Sequence, residues 1–105
     1  MPAPVDLGAA LATFHEAWQP RTVAVLNDYD VRVAKTLGEF TWHSHPDTDE
    51  LFLVLSGTLT IALRDRDVVL GPDDVFVVPK GVEHYLLFGH RGGVTLVRPN
   101  NDGAV

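Results

Sequence analysis

Four side chains in this sequence combine metal-ligand chemistry with informative spacing: His43, His45, Glu50 and His84. His43 and His45 stand two apart in a strand-like run, which turns both imidazoles to one face. A turn over 46–49 then reverses the chain, and Glu50 opens the next run. His84 begins a later run, directly after the turn Pro79-Lys80-Gly81. If these strands line one barrel, three imidazoles and one carboxylate converge on a point. Neutral imidazole suits divalent Fe, Mn, Ni, Cu or Zn, and a single carboxylate lowers the ion's net charge. The chain contains no cysteine, which removes disulfides, thiolate nucleophiles, zinc fingers and iron–sulfur clusters together.

The elements that must position these residues are nearly all strands. Short β-branched or aromatic runs recur over 22–26, 29–37, 40–45, 50–56, 58–63, 68–70, 75–78, 84–88 and 94–97. Turn signals separate them, among them Asn27-Asp28, Gly38, Gly57, Gly71-Pro72-Asp73-Asp74 and the stretch 89–93. Nine short strands in a chain of 105 residues predict a sandwich or closed barrel. One helix is predicted over 7–18, with Asp6 as N-cap, an apolar stripe of Leu7, Leu11, Phe14 and Trp18, and Pro20 as its stop. The length suits a single domain, 1–105, divided into an N-terminal helical arm over 1–20, a barrel over 21–99 and a loose tail over 100–105.

The residues now reach a known family. GEFTWHSHPDTDELFLVLSG, over 38–57, resembles the first cupin motif: a glycine, HxH, a glutamate four residues on, then a glycine. DDVFVVPKGVEH, over 73–84, resembles the second motif, which ends in PxGxxH. The chain therefore resembles a small single-domain cupin of the RmlC-like superfamily, cupin_2 type, in a group whose activity is undefined. The resemblance implies an all-β double-stranded β-helix, a jelly-roll barrel, with one short N-terminal helix. It also implies that His43, His45, Glu50 and His84 ligate one divalent transition metal ion. Three positions depart from the family pattern. Four residues, not five, separate Gly38 from His43, Asp73 stands in the place of a glycine, and Phe88 stands in the place of an asparagine.

Alternation places Phe52 and Val54 on the face of Glu50, and Leu86 and Phe88 on the face of His84, so the expected pocket is small, apolar and metal-floored. Trp42 faces the other way and is expected outside the barrel. Glu83, His15 and His90 are expected in solvent, and Asp47 and Asp49 in the turn. Gly57 and Gly81 are expected at positive φ or at a close approach. Lys35 is the one basic residue considered near the mouth, its face in the strand being unfixed by the pattern, and the expected pocket offers few cations for phosphate or polycarboxylate.

A formal charge of −6 with scattered basic residues argues against nucleic acid or an anionic membrane as partner. No apolar run approaches the roughly 20 residues of a membrane span, and the N-terminus lacks the basic start of a secretory signal. The expectation is a cytoplasmic protein with a small-molecule ligand or substrate. The apolar stripe of the helix, the strands before Gly38, and Trp18 and Trp42 placed away from the metal face point to a homodimer. For function, the leading expectation is a metal-dependent enzyme, an oxygenase or an isomerase/lyase, acting on a small organic molecule with no separate general base. The alternatives are a non-catalytic module that binds or senses a small ligand or metal, and a barrel locked by a structural metal.

Overall fold

The computed structural model describes residues 3–99. One short helix, α1 (Leu7–Leu11), precedes seven strands: β1 (Arg21–Leu26), β2 (Tyr29–His43), β3 (Glu50–Ser56), β4 (Leu59–Leu63), β5 (Asp67–Leu70), β6 (Val75–Val78) and β7 (His84–Pro99). All strand pairings are antiparallel, in the order β1-β2-β7-β3-β6, while β4 pairs with both β7 and β5. The expected jelly-roll barrel with one short N-terminal helix is the architecture observed. No described helix is long and apolar enough to cross a membrane. The expected tail, 100–105, lies outside the described residues.

Two long strands replace four short ones, so seven strands stand where nine were expected. β2 runs through Gly38, which takes φ +71° at a register shift against β7. β7 runs through the glycine-rich stretch 89–93, where a turn was expected. Gly92 and Gly93 serve close packing instead of chain reversal. A Cβ on Gly92 would lie 2.7 Å from the Ser56 carbonyl oxygen and 2.6 Å from the Phe88 ring, and one on Gly93 would lie 2.6 Å from Leu11. At this crossing β7 exchanges β4, paired over 84–88, for β3, paired over 93–97.

The N-terminal arm also departs from expectation. Asp6 caps α1 by accepting the Ala9 N–H at 2.9 Å, but the helix stops after five residues, short of 18. Beyond it the backbone is committed elsewhere. Thr13 donates its hydroxyl to the Ala10 carbonyl, Ala17 bridges Lys35, and the Trp18 N–H donates to the Lys35 carbonyl at 2.7 Å. An N–H bonded to a strand cannot also donate four residues back, so a helix cannot continue there. The apolar stripe is delivered by a short helix followed by irregular chain, with Phe14 buried at its middle.

The interior forms by alternation. Phe52 and Val54, Leu59 and Ile61, Leu70, Val78, Leu86 and Phe88, and Val94 and Leu96 point inward from five strands, β3 to β7, and make one cluster. Along β7 positions 84, 86, 88, 92, 94, 96 and 98 are all buried and keep the inward parity. That register carries His84 at one end of the strand and Arg98 at the other.

Candidate metal centre

The β2–β7 ribbon brings the chemistry together. Arg98 stands fourteen positions after His84, about 46 Å of extended strand at ~3.3 Å per residue. Yet both side chains meet the same carboxylate: His84 Nε2 lies 3.5 Å from Glu50 Oε1, and Arg98 Nε lies 3.0 Å from Glu50 Oε2. The ribbon is therefore curled round until its two ends flank the start of β3.

The structure brings all four sequence-identified residues together. The donor atoms of His43, His45, Glu50 and His84 lie within 4.8 Å of one another. His43 ends β2 in register with His84 at the start of β7, and Glu50 starts β3. His45 lies past the end of β2, in the loop, so its position comes from turn contacts and not from strand alternation. Its carbonyl accepts the Gly81 N–H at 2.8 Å, and Asp49 accepts the Lys80 N–H at 2.8 Å. These two bonds clasp the turns on either side of the site. Gly81, at φ +78°, has the positive φ expected of it, as does Gly57 at +80°.

Two of the imidazoles have their tautomers set by backbone. A carbonyl can only accept, so Nδ1–H of His43 donates to Thr41 at 2.7 Å and Nδ1–H of His84 donates to Val82 at 2.9 Å. The lone pair of each ring is thereby left on Nε2, and both Nε2 atoms are buried with no hydrogen-bond partner. A buried polar atom without a partner costs free energy; two of them aimed at one carboxylate fit a cation between them. Oriented Nε2 donors, with Nδ1–H held by main chain, are the arrangement that imidazole ligands to a metal require. The residues present fit a divalent transition ion.

Burial alone would raise the Glu50 carboxyl, but its contacts with His45, His84 and Arg98 outweigh that and hold it at about 2. Burial pushes the His43 imidazole down, and the neighbouring His84 and His45 rings add to this against the opposing pull of the Thr41 carbonyl and Glu50. Both effects keep the ligands in the protonation state that binds metal.

One residue escaped sequence reasoning: Arg98, only 1% exposed, behind Glu50. Its NH1 lies 3.1 and 3.2 Å from the two ring nitrogens of His45. The signal was parity, because Arg98 continues the inward series Val94, Leu96; it was missed where the last predicted strand stopped at 97. Lys35, expected near the mouth, points elsewhere. Its ammonium sits 5.6 Å above the Phe14 ring and helps line a cleft of about 390 Å³ with α1 residues, Ser56 and Arg91.

Trp18 also departs from expectation. It does not lie away from the metal face: its ring packs 5.3 Å from Phe40 and 6.3 Å from Phe88, and Phe40 stands edge-on to His43 at 5.2 Å. Its indole N–H donates to the Leu37 carbonyl at 3.0 Å. Trp42, by contrast, is on the outside beneath the Arg64 guanidinium and beside Tyr85. Glu83 is exposed and paired with Arg64 at 3.1 Å, and His15 is exposed. The side chain of His90 lies outside what is described. Phe52, Val54, Leu86 and Phe88 are each exposed by 1% or less and form packed interior, with the Phe52 ring 6.2 Å from that of His84.

Comparison with known proteins agrees with this geometry. Residues 29–94 match the family model Cupin_2, the cupin domain. YdbB of Bacillus subtilis, an uncharacterised protein, is 45% identical over 64 residues, which are 60% of this chain and 57% of that protein. An oxidoreductase of Arthrobotrys oligospora is 33% identical over 72 residues, 68% of this chain and 28% of the fungal protein. The chain thus spans little more than half the length of the first of these relatives and about a quarter of the second. Among solved structures, a cupin-2 domain protein of Shewanella frigidimarina superposes with a TM-score of 0.90 at 38% identity, covering 91% of this chain and 94% of that one.

Proposed function

Because the chain belongs to the Cupin_2 family and its interior holds a three-histidine, one-glutamate cluster, we propose that it is a metal-dependent enzyme acting on a small organic molecule, as an oxygenase or an isomerase/lyase. His43, His45, Glu50 and His84 are the ligands. The carrying observation is the pair of buried, partnerless Nε2 atoms of His43 and His84, whose tautomers are set by main-chain carbonyls. The bound ion, one of Fe, Mn, Ni, Cu or Zn, supplies Lewis-acid or redox chemistry toward a carbonyl, an enolate or dioxygen. The fungal relative's name as an oxidoreductase supports the redox arm.

The chain's own part is positional. The Thr41 and Val82 carbonyls aim two rings, the clasp between 45–49 and 80–81 holds the third, and Arg98 restrains Glu50. Phe52 and its neighbours keep water from the inner side of the cluster, which strengthens every charge interaction there. Glu50 is committed to the site, so no separate side-chain base is assigned. The test is loading with each of the five metals, followed by oxygen uptake and product analysis over hydroxy acids, ketones, sugars and phenols. Turnover that disappears in His84→Ala along with the bound metal supports the reading; fully loaded protein inert across the panel overturns it.

A second reading, a non-catalytic module that holds a metal or small ligand, is favoured by one observation: the buried side chains beside the cluster, Phe52, Val54, Leu86 and Phe88, are all apolar and offer no acid or base. It predicts tight binding without product. We further propose a cytoplasmic homodimer, with the β1 edge as the contact. Val25 and Leu26 there are 62% exposed, and a monomeric mass by light scattering contradicts it.

A further inference from the structure

Four of the eight basic side chains pair with acids: Arg21 with Glu16, Arg32 with Asp30, Arg64 with Glu83 and Arg98 with Glu50. Lys35 and Arg91 pair with no acid among the described residues, yet both line one cleft. It holds about 390 Å³ and lies between the N-terminal arm and the barrel, with walls from the end of α1 and from β2, β3 and β7. The Ser56 hydroxyl adds to the polar lining, and Leu11, Ala12 and Leu55 supply an apolar one. Gly93 keeps the space open: a Cβ there would lie 2.6 Å from Leu11 and 3.4 Å from the Ser56 hydroxyl, intruding between arm and barrel.

Both cations are held by the arm. Arg91 NH1 donates to the His15 carbonyl at 2.8 Å, which spends one of the guanidinium's five N–H donors. The Lys35 ammonium sits 5.6 Å above the Phe14 ring, and the Lys35 carbonyl accepts the Trp18 N–H. Side chains already restrained lose little further freedom when a ligand arrives. In a chain of formal charge −6, two neighbouring cations without an acid reverse the local sign and attract an anion.

From this we infer that the cleft between arm and barrel is a second ligand site, which takes a small carboxylate bearing a short alkyl chain. The guanidinium fork matches a carboxylate edge, and the ammonium adds a second point charge. Leu11, Ala12 and Leu55 receive the chain. A volume near the lower end of the ~300–1,000 Å³ range of ligand pockets sets the ligand as a small one. None of the four residues of the metal-competent cluster lines this cleft, so an anion seated there is independent of any metal.

The test is isothermal titration calorimetry at pH 7 with three probes: hexanoate, its uncharged amide hexanamide, and acetate, which keeps the charge without the chain. Hexanoate should bind wild type roughly tenfold or more tightly than acetate, since its extra methylenes leave water. It should exceed hexanamide by a similar factor, and Lys35→Gln or Arg91→Gln should each weaken it about threefold or more. The double variant should bind hexanoate and hexanamide alike. Ala12→Phe, which fills the cleft and keeps both charges, should weaken hexanoate at least tenfold. Wild type that fails to bind hexanoate, or that binds it no better than hexanamide or acetate, overturns the proposal whether or not the variants fold. So does a folded K35Q/R91Q or A12F protein that binds hexanoate as wild type does. Treatment with EDTA should leave hexanoate affinity unchanged; its loss on chelation would assign the anion to the metal-competent cluster and overturn the cleft site.

Discussion

At the scale of single residues, the site is governed by where protons and lone pairs are kept. Glu50 is held near 2 against an ordinary value of 4.5, so between those pH values the unfolded chain binds a proton that the folded protein does not. Its contribution to stability is whole above pH 4.5 and is lost as pH falls toward 2. His43 is depressed below 6.5, so the folded protein also resists protonation there, and stability declines further as pH drops through that value. Both shifts have the same sign. Metal-free protein should therefore melt at progressively lower temperature from pH 7 to pH 4 by circular dichroism, and His43→Gln should flatten the upper part of that slope. The four residues of the cluster were legible in the sequence because HxH, the glutamate and PxGxxH are local patterns. Arg98 was not, because its meaning depends on a carboxylate 48 positions away that only the curled ribbon brings to it.

At the scale of elements, backbone geometry explains both where the sequence departs from its family and where the predicted boundaries moved. Asp73, in the place of a family glycine, takes φ +71°, a conformation that Asp tolerates at some cost and glycine adopts freely. Asp73→Gly should thus be neutral or stabilising by up to about 1 kcal/mol in urea unfolding, because the relief of strain opposes the extra chain entropy of glycine. Gly92→Ala should act in the other direction. Its Cβ would meet the Ser56 carbonyl and the Phe88 ring at 2.7 and 2.6 Å, and overpacking of this kind costs roughly 1–3 kcal/mol or more. Turn chemistry alone does not distinguish a glycine that reverses the chain from one that lets another strand come close, which is why 89–93 was assigned to a turn. The helix was overextended for a related reason. Spacing identifies an apolar stripe, but the commitment of the Trp18 N–H to Lys35 is a contact between segments.

At the scale of the whole molecule, the three-histidine, one-glutamate cluster closes the barrel. Its residues come from the end of β2, the following loop, and the starts of β3 and β7, so an ion joining them would tie together segments that separate on unfolding. Metal at a hundredfold excess over its Kd should stabilise the fold by about 2.7 kcal/mol, seen as a rise in Tm of roughly 10 °C or more that chelation reverses. The N-terminal arm is a second closure. Trp18 joins the interior through Phe40 and Phe88, and Trp18→Ala should cost about 2–4 kcal/mol, somewhat less than loss of a fully buried tryptophan. Composition, alternation and short motifs by themselves determined the strand-rich fold class, the inward faces and the four residues of the metal-competent cluster, because each depends on residues within a few positions of one another. The curl of the β2–β7 ribbon, the placing of His45 by turn-to-turn hydrogen bonds, the turning inward of Trp18 and the burial of Arg98 against Glu50 were decided only in the tertiary structure. They arise from contacts between residues far apart in the chain, whose energies have no counterpart in local pattern.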